Sequence, residues 1–320
     1  MDSIPSFRDR IVGGVLGLAV GDALGVPVEF RSRDDLVREP VHDMSGPGTH
    51  HQPPGTWSDD SSLALATLDS LLGGYDPADM MKRFCRWRYQ HYMTARGSVF
   101  DCGITTHMAI TRYRDGAPQG DWGGEAEAEN GNGSLMRILP LSLYVHRSDP
   151  NTIVERSGEV SALTHAHIRS KLCCGYFSLL IKAILSGQPL HDAIRWAGQE
   201  LGPHVPALEK PILQDVLSGE VTRRDRDAID SGGYVVHTLE ASLWCVARCT
   251  DFSAAVLAAV NLGGDTDTTG AVTGALAGVL HGQQAIPEKW RRAIARADDV
   301  QALAHALADR IEGDASSESP

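Results

Sequence analysis

Two short acidic clusters contain the side chains of this sequence that are best suited to do chemistry. One is Ser-Asp-Asp at residues 58–60 and the other is Asp-Thr-Asp-Thr at residues 265–268, and each lies beside a run with helical periodicity. Carboxylates this close repel one another unless a positive charge neutralises them. Mg²⁺ and Mn²⁺ prefer oxygen ligands and are the obvious candidates. If the fold brings the clusters together, the sequence predicts a two-metal site that activates water.

Helix capping is the structural alternative for each cluster. A Ser or Asp side chain just before a helix accepts hydrogen bonds from the first backbone N–H groups, and one such side chain is enough. Each cluster has two acids, however, which capping leaves unexplained. Gly263 and Gly264 allow sharp backbone geometry ahead of the second cluster, whose D-x-D spacing can point two carboxylates at one ion. The two clusters together are therefore more specific for a metal than either alone.

Charge and composition exclude several classes of function. Lys and Arg number 29 against 41 Asp and Glu, a net charge of −12. Because phosphate contacts need clustered basic residues, we expect no nucleic-acid partner. The six cysteines include no C-x-x-C pair, and no secretory signal is evident, so we expect reduced thiols and a cytoplasmic location. The longest apolar stretches, 11–20 and 271–280, are too short for a bilayer, so we expect no membrane partner.

Helical periodicity dominates the chain, and the alternation typical of strands is scarce. We predict a compact all-α domain over residues 1–312, with functional loops and a disordered tail at 313–320. Pro140 and Pro211 fall inside predicted helices and predict a kink or a break. The predicted helices are 7–24, 61–72, 77–92, 102–114, 134–145, 150–162, 167–186, 190–201, 206–217, 233–249, 252–262, 268–281 and 287–311.

Two of the predicted helices have glycine at every fourth position. The glycines are Gly13, Gly17, Gly21 and Gly25 in the first and Gly270, Gly274, Gly278 and Gly282 in the second. Glycine costs about 1 kcal/mol relative to alanine inside a helix, so this stripe indicates a compensating gain. A flat face lets another backbone approach closely, and we expect both helices at the centre of the fold. Packing against each other would place Asp22 and Glu29 near Asp265 and Asp267.

The segment at residues 130–134, Asn-Gly-Asn-Gly-Ser, precedes a predicted helix. Such a loop can present backbone N–H groups to a diphosphate, although an ordinary turn with a cap is the commoner explanation. It has neither the spacing of a dinucleotide-binding fold nor that of a P-loop. His165 and His167 form an H-x-H pair without cysteine partners, which disfavours zinc. The His50-His51 loop receives no assigned role.

Five motifs, in order along the chain, resemble the ADP-ribosylglycohydrolase family. They are GDALGVPVE (21–29), PGTWSDDSSLAL (54–65), NGNGSLMR (130–137), LTHAH (163–167) and NLGGDTDTTGAVTGALAG (261–278). The resemblance spans residues 21–278, most of the chain. It implies an all-α, single-domain orthogonal helical bundle with a central cleft that holds a binuclear Mg²⁺ or Mn²⁺ centre.

The resemblance also implies roles for individual residues. Glu29 would line the metal site and ligate a metal, gate the site or act on the water. Met136 and Arg137 would support the loop that precedes them. The implied metal ligands are Ser58, Asp59, Asp60, Asp265, Asp267 and Thr268, and the implied ADP-ribose contacts are Asn130, Gly131, Asn132, Gly133, Ser134 and His165. The family often has threonine where this chain has Ser58, and either hydroxyl can coordinate a metal.

The implied reaction is removal of ADP-ribose from a modified protein side chain by two-metal activation of water at ribose C1″. Glu29, Asp59, Asp60 and Asp267 would be the catalytic residues. The N-glycosidic link to arginine is the first expectation and the serine O-link is the main alternative. Expected partners are an ADP-ribosylated protein, ADP-ribose and a counterpart ADP-ribosyltransferase.

Two other classes of function stay open. An immunity protein could neutralise an ADP-ribosylating toxin by plugging its active site, although residues 1–10 are a short arm for that purpose. A purely structural relative is the other class, and the intact acidic clusters argue against it because such a protein has no need of repelling acids.

Overall fold

The structure is a computed structural model that describes residues 4–317, with side chains described through Asp314. Within that part of the chain there are fifteen α-helices and no β-strand, which confirms the predicted all-α class. The helices are α1 (Phe7–Gly25), α2 (Arg33–Arg38), α3 (Asp59–Leu72), α4 (Pro77–Gln90), α5 (Ile104–Arg114), α6 (Leu139–Tyr144), α7 (Pro150–Ala162), α8 (Ile168–Leu185), α9 (Leu190–Leu201), α10 (Lys210–Ser218), α11 (Val235–Arg248), α12 (Phe252–Val260), α13 (Thr266–His281), α14 (Glu288–Ala293) and α15 (Ala297–Ser317).

The two prolines inside predicted helices lie instead in the first turns of shorter ones. Pro140 is near the start of α6 and Pro211 is near the start of α10. A proline has no backbone N–H, and the first turn of a helix leaves that group unpaired in any case. The predicted helices 134–145 and 206–217 therefore begin later than their periodicity suggests.

Three other features differ from the predicted element pattern. The predicted helix 287–311 is two helices, α14 and α15, and α2 was not predicted. Helix α15 continues to Ser317, so residues 313–317 are helical where a disordered tail was expected. Residues 318–320, the rest of that predicted tail, lie outside the described residues.

The two glycine-striped helices, α1 and α13, pack directly against each other in antiparallel orientation. A Cβ atom added to Gly21 would lie 2.0 Å from the carbonyl oxygen of Gly270, and one on Gly17 would lie 2.2 Å from that of Gly274. No side chain fits at such distances, so the stripe is required for this backbone contact. Alignment of the stripes also brings Gly25, at the end of α1, against Asp267 in the first turn of α13.

Helix α1 is the central element of the bundle, and it is apolar for that reason. The segment Phe7–Val28 is long and apolar enough to cross a membrane by length and composition, unlike the shorter stretches considered in the sequence. The most apolar part of this segment is entirely buried inside the protein. Helices α3, α12 and α15 pack on α1, and α11 and α12 pack on α13, so burial in the core accounts for its composition.

Candidate active site

Asp22 ties the end of α1 to the first turn of α3. Its buried carboxylate accepts hydrogen bonds from the backbone N–H of Ser58 at 2.9 Å and from the N–H and hydroxyl of Ser61 at 3.0 and 2.6 Å. The charge of Asp22 also contributes to the raised pKa of Asp267, so it lies close to the second cluster. Asp22 therefore positions the first acidic cluster, a role that the sequence did not assign to it.

The first cluster begins α3 and meets the second cluster at Asp60. Ser58 is the N-cap residue, since its hydroxyl oxygen accepts from the N–H of Asp60 at 3.2 Å. The same hydroxyl donates to Asp60 Oδ2 at 2.9 Å, and the Thr268 hydroxyl donates to that oxygen at 3.3 Å. The two clusters, more than half the chain apart in sequence, thus come together as the sequence analysis required.

Glu29 joins the second cluster. Oxygen atoms of Glu29, Asp265 and Asp267 all lie within 4.8 Å of one another, so these three carboxylates form a group that could hold a metal ion. Asp265 Oδ2 accepts a hydrogen bond from Asn132 Nδ2 at 2.8 Å. This bond connects the second acidic cluster to the loop at residues 130–134.

Burial and mutual repulsion raise the pKa of most of these acids. Burial is the larger cause for Asp59, Asp60 and Asp267, and neighbouring carboxylates add to it, so the pKa of each lies well above its usual value. Burial, followed by the charge of Asp101, raises the pKa of Glu29 to about 9. Without a compensating cation, the site favours protonated carboxyl groups near neutral pH.

The donor atoms of the site fit a hard divalent cation. Asp60 Oδ1 and Asp265 Oδ1 are buried and have no hydrogen-bond partner among the described residues. A buried carboxylate oxygen without a partner is costly unless a ligand completes it. Every side-chain ligand atom in the two clusters is an oxygen, which suits Mg²⁺, Mn²⁺ or Ca²⁺ rather than a softer metal.

Two residues at this end of the site were missed or left unassigned by the sequence analysis. His50 contacts the Glu29 carboxylate, and Asp101 completes a second group of ligand atoms within 4.8 Å of one another. Both lie in loops, and no motif marks Asp101. The only local signal was the position of His50 shortly before the first acidic cluster.

A cavity of about 270 Å³ connects the acids to the 130–134 loop. We call its two ends the acid end and the loop end. The acid end is lined by Glu29, Phe30, Asp59, Asp101, Asp265 and Thr268, and the loop end is lined by Gly131, Asn132, Gly133, Met136 and His165. Ser58, Asp60 and Asp267 are buried behind the acid end. Three of the six predicted metal ligands and four of the six predicted ADP-ribose contacts therefore line one cavity.

Two of the predicted ADP-ribose contacts do not line this cavity. The Asn130 side chain accepts from the Ser170 hydroxyl at 3.0 Å and donates to the Glu127 carbonyl at 3.1 Å. The Ser134 hydroxyl is fully buried and accepts from the Ser161 hydroxyl at 2.9 Å. Both side chains hold the loop from behind. The loop also leads into a 3₁₀ turn at Asn132–Ser134 rather than an α-helix, so it is not the start of the predicted helix.

Glycine is required where the loop meets His165. A Cβ atom on Gly133 would lie 2.8 Å from His165 Cε1 and 2.9 Å from the Thr106 hydroxyl. The absence of a side chain at Gly133 therefore keeps the imidazole ring against the loop and leaves the loop end of the cavity open.

Comparison with known proteins shows the family of this chain. The family model of the ADP-ribosylglycohydrolases matches residues 3–317. The chain belongs to the ADP-ribosylglycohydrolase family. ADP-ribosylarginine hydrolase Tri1 of Serratia proteamaculans is 34% identical over 303 residues, which cover 93% of this chain and 79% of that protein. ADP-ribosyl-[dinitrogen reductase] glycohydrolase of Rhodospirillum rubrum is 30% identical over 293 residues, which cover 89% and 90%.

More distant ADP-ribosylglycohydrolases and a solved structure extend the comparison. Human ADP-ribosylhydrolase ARH3 is 26% identical over 357 residues, which cover 95% of this chain and 93% of that protein. A solved ADP-ribosylglycohydrolase-related protein complex matches with a TM-score of 0.80 and 36% identity, covering 95% of this chain and 99% of that one. The chain is therefore an ADP-ribosylglycohydrolase in fold and in enzyme class, as the motifs implied.

Proposed function

We propose that this enzyme hydrolyses the N-glycosidic bond between ADP-ribose and an arginine side chain with the help of two divalent cations, Mg²⁺ or Mn²⁺. The observation that carries the proposal is the convergence of both acidic clusters at the acid end of one cavity and directly behind it. Asp60 and Asp265 each have a buried carboxylate oxygen that finds no hydrogen-bond partner in the described part of the chain. Two relatives named ADP-ribosylarginine hydrolase, at 34% and 35% identity, support arginine as the linkage.

The acidic clusters would hold the cations. When bound, the cations would supply positive charge that orients the ribose hydroxyls and activates water. The ligands are those implied by the family motifs: Ser58, Asp59, Asp60, Asp265, Asp267 and Thr268. Asp22 holds the first turn of α3 in place, and Asn132 holds Asp265. Both contacts keep the ligand oxygens in position before any cation arrives.

Glu29 and Asp101 are the carboxyl groups placed to move protons at the acid end. In the reaction the C1″–N bond breaks, the water oxygen bonds to C1″, and one water proton ends on the guanidine nitrogen. A carboxyl group beside the cavity can take that proton from water and pass it to the leaving group. Glu29 lines the cavity, is held by His50, and lies within reach of Asp101. We therefore assign Glu29 as the general acid–base and Asp101 as its partner.

The loop end would hold the ADP-ribose diphosphate. Gly131 and Gly133 have no side chains to block a phosphate, and His165 lines the same wall. Burial, followed by the charge of Arg137, lowers the pKa of His165 to about 3, so its imidazole is neutral at physiological pH. A neutral imidazole can still donate one N–H hydrogen bond to an anion.

The mouth of the acid end suits a guanidinium leaving group. Phe30 is 70% exposed there, follows Glu29 directly, and has its ring centroid 6.1 Å from that of His50. Its φ of 67° is unusual for a bulky residue, and a hydrogen bond from its N–H to the Gly264 carbonyl, 2.7 Å long, holds that conformation. An exposed aromatic ring beside two carboxyl groups attracts a planar cation, whereas a serine hydroxyl gains nothing from it.

Replacing Phe30 by leucine is expected to lower kcat/KM for arginine-linked ADP-ribose by about three- to ten-fold, because the cation–π contact is lost. Phe30→Tyr keeps an aromatic face and is expected to retain wild-type kcat/KM. Both variants are to be assayed on arginine-linked and serine-linked substrates. If Phe30→Leu lowers kcat/KM equally for both linkages, Phe30 contributes only to general packing. It would then no longer support arginine as the linkage.

Serine-linked hydrolysis and neutralisation of a toxin by binding stay hypotheses, and so does the cytoplasmic location. The assay on paired linkages decides the first. Toxin neutralisation by binding alone requires protection by an inactive variant such as Asp267→Ala, and loss of protection in that variant would reject it.

A further inference from the structure

A buried arginine lies behind the loop end of the cavity, at the end of the NGNGSLMR motif. The Arg137 side chain is fully buried, and in the part of the chain that the structure describes no carboxylate pairs with it. Its guanidinium lies 4.6 Å from the centre of the Phe84 ring. One of its Nη atoms donates to the Val160 carbonyl at 3.1 Å and to the Thr164 hydroxyl at 2.8 Å. Burying a charge without an ionic partner costs free energy. The contact of the Arg137 guanidinium with the Thr164 hydroxyl therefore needs an explanation.

The contact determines where the hydrogen atoms lie. A guanidinium has only donors, so the Thr164 oxygen is the acceptor from Arg137. The same oxygen is 2.8 Å from His165 Nδ1, and the described residues provide this hydroxyl with no other hydrogen-bond acceptor. Donation of the Thr164 hydroxyl hydrogen to His165 Nδ1 is therefore the direction that satisfies both groups, because the reverse direction would leave this buried hydroxyl hydrogen without an acceptor. In a neutral imidazole whose Nδ1 accepts, the ring proton is on Nε2.

The Nε2 atom of His165 is the one that faces the glycine loop. A Cβ atom built on Gly131 would lie 3.5 Å from it, and both residues line the loop end of the cavity. With the proton on Nε2, the ring presents a hydrogen-bond donor to whatever occupies that end. With the proton on Nδ1, it would present a lone pair, which repels an anion.

We propose that Arg137 and Thr164 are positioning residues that hold His165 in the Nε2–H tautomer, so that this imidazole donates a hydrogen bond to the diphosphate of ADP-ribose. The inference rests on the proposed function, in which the loop end holds the diphosphate. Arg137 does not reach the ligand itself. It acts through the Thr164 hydroxyl, whose direction it sets, and it thereby makes a neutral histidine selective for an anion.

The test removes the hydroxyl of Thr164 with little change of shape. In the full-length protein, Thr164→Val is expected to weaken ADP-ribose binding by about ten-fold, since a hydrogen bond to a charged group is lost. Thr164→Ser keeps the hydroxyl and is expected to bind within about two-fold of wild type. Binding of adenosine, which has no diphosphate, should not change in either variant. The measurement is isothermal titration calorimetry with ADP-ribose and with adenosine.

We call the hydrogen-bonded series Arg137–Thr164–His165 the relay. A matched control and a spectroscopic readout separate this relay from simple packing. Thr67 is another buried threonine, whose hydroxyl donates to the Leu63 carbonyl inside α3, so Thr67→Val should lower stability without weakening ADP-ribose binding. The ¹⁵N shifts of the His165 ring report its tautomer directly. Wild type is expected to be protonated on Nε2, and Thr164→Val should show a mixture of tautomers.

Either of two results overturns the proposal: wild-type His165 protonated on Nδ1, or unchanged ADP-ribose affinity in a folded Thr164→Val variant. If that variant does not fold, the wild-type spectrum decides. Failure of the relay is distinct from failure of the proposed function. An enzyme that cleaves arginine-linked ADP-ribose while Thr164→Val binds normally contradicts the relay alone. A protein that binds ADP-ribose through the expected tautomer yet cleaves no arginine linkage contradicts the proposed function alone.

Discussion

Replacing Asp267 by asparagine is expected to lower hydrolysis by on the order of a hundred- to a thousand-fold and to raise the melting temperature of the cation-free protein. The two effects have one cause. Asp267 is buried, and its neighbours Glu29, Asp60 and Asp265 are all acids that push its pKa upwards. In the cation-free site the Asp267 carboxyl group must either carry a repelled charge or take up a proton, and an amide of the same shape removes that cost. The amide also removes a ligand that the reaction needs.

The gain in stability should depend on pH in a defined direction. Carboxyl groups whose pKa is raised by folding bind protons more tightly in the folded state, so they favour folding at low pH. That contribution is lost as the pH rises from about 4, the unfolded value, through the raised folded values, which for Glu29 is about 9. The cation-free wild type should therefore be less stable at pH 8 than at pH 5, and added Mg²⁺ should reverse most of that loss.

Calorimetric melting at both pH values, with EDTA or Mg²⁺, checks this prediction. Asp225→Asn is the matched control, because it makes the same chemical change at an exposed position. It should affect neither activity nor the response to Mg²⁺. A cation-free Asp267→Asn protein that melts below wild type at pH 8 and still responds to Mg²⁺ would show that Asp267 is not part of a cation site.

Replacing Gly21 by alanine is expected to destabilise the protein by about 3 kcal/mol or more. The added Cβ atom would lie 2.0 Å from the Gly270 carbonyl oxygen and 2.5 Å from its carbonyl carbon, so two helix backbones would have to separate. The same separation would displace Gly25 from Asp267 and disturb the acid end of the cavity. The measurement is the free energy of unfolding from urea denaturation, together with the rate of hydrolysis.

Gly158 provides the matched control inside another helix. A Cβ atom there would meet the Lys171 side chain at 3.7 Å, an ordinary contact. Gly158→Ala should therefore be neutral or stabilising by up to about 1 kcal/mol, because alanine is the better helix former. Equal effects of the two substitutions would mean that the close backbone contact between α1 and α13 does not exist in solution.

The glycine period was the sequence feature that predicted most about the site. Glycines at every fourth position indicated a backbone contact between α1 and α13, and that contact explains why Glu29 lies within 4.8 Å of Asp265 and Asp267. The same logic did not extend to the loops. Asp101 and His50 lie in segments without periodicity, and their positions depend on how those loops pack across the acid end.

Side-chain direction was the other property that could not be predicted. In the NGNGSLMR motif, polar residues two positions apart face different ways: Asn132 faces the acids, whereas Asn130 and Ser134 hold the loop from behind. The contact of Arg137 with Thr164 is similar, because it joins two motifs 27 residues apart. Such contacts depend on the tertiary packing of α7 and α8 and have no signature in local spacing.

Release of ADP-ribose from an arginine-ADP-ribosylated protein measures the proposed cation-dependent hydrolysis itself. The protein is first freed of metal with EDTA and then assayed in EDTA, in Mg²⁺ and in Mn²⁺. We expect no release above background in EDTA and full recovery when Mg²⁺ or Mn²⁺ is restored. Release at the same rate in EDTA as in Mg²⁺, or no release from the arginine linkage in any condition, would contradict the proposed function.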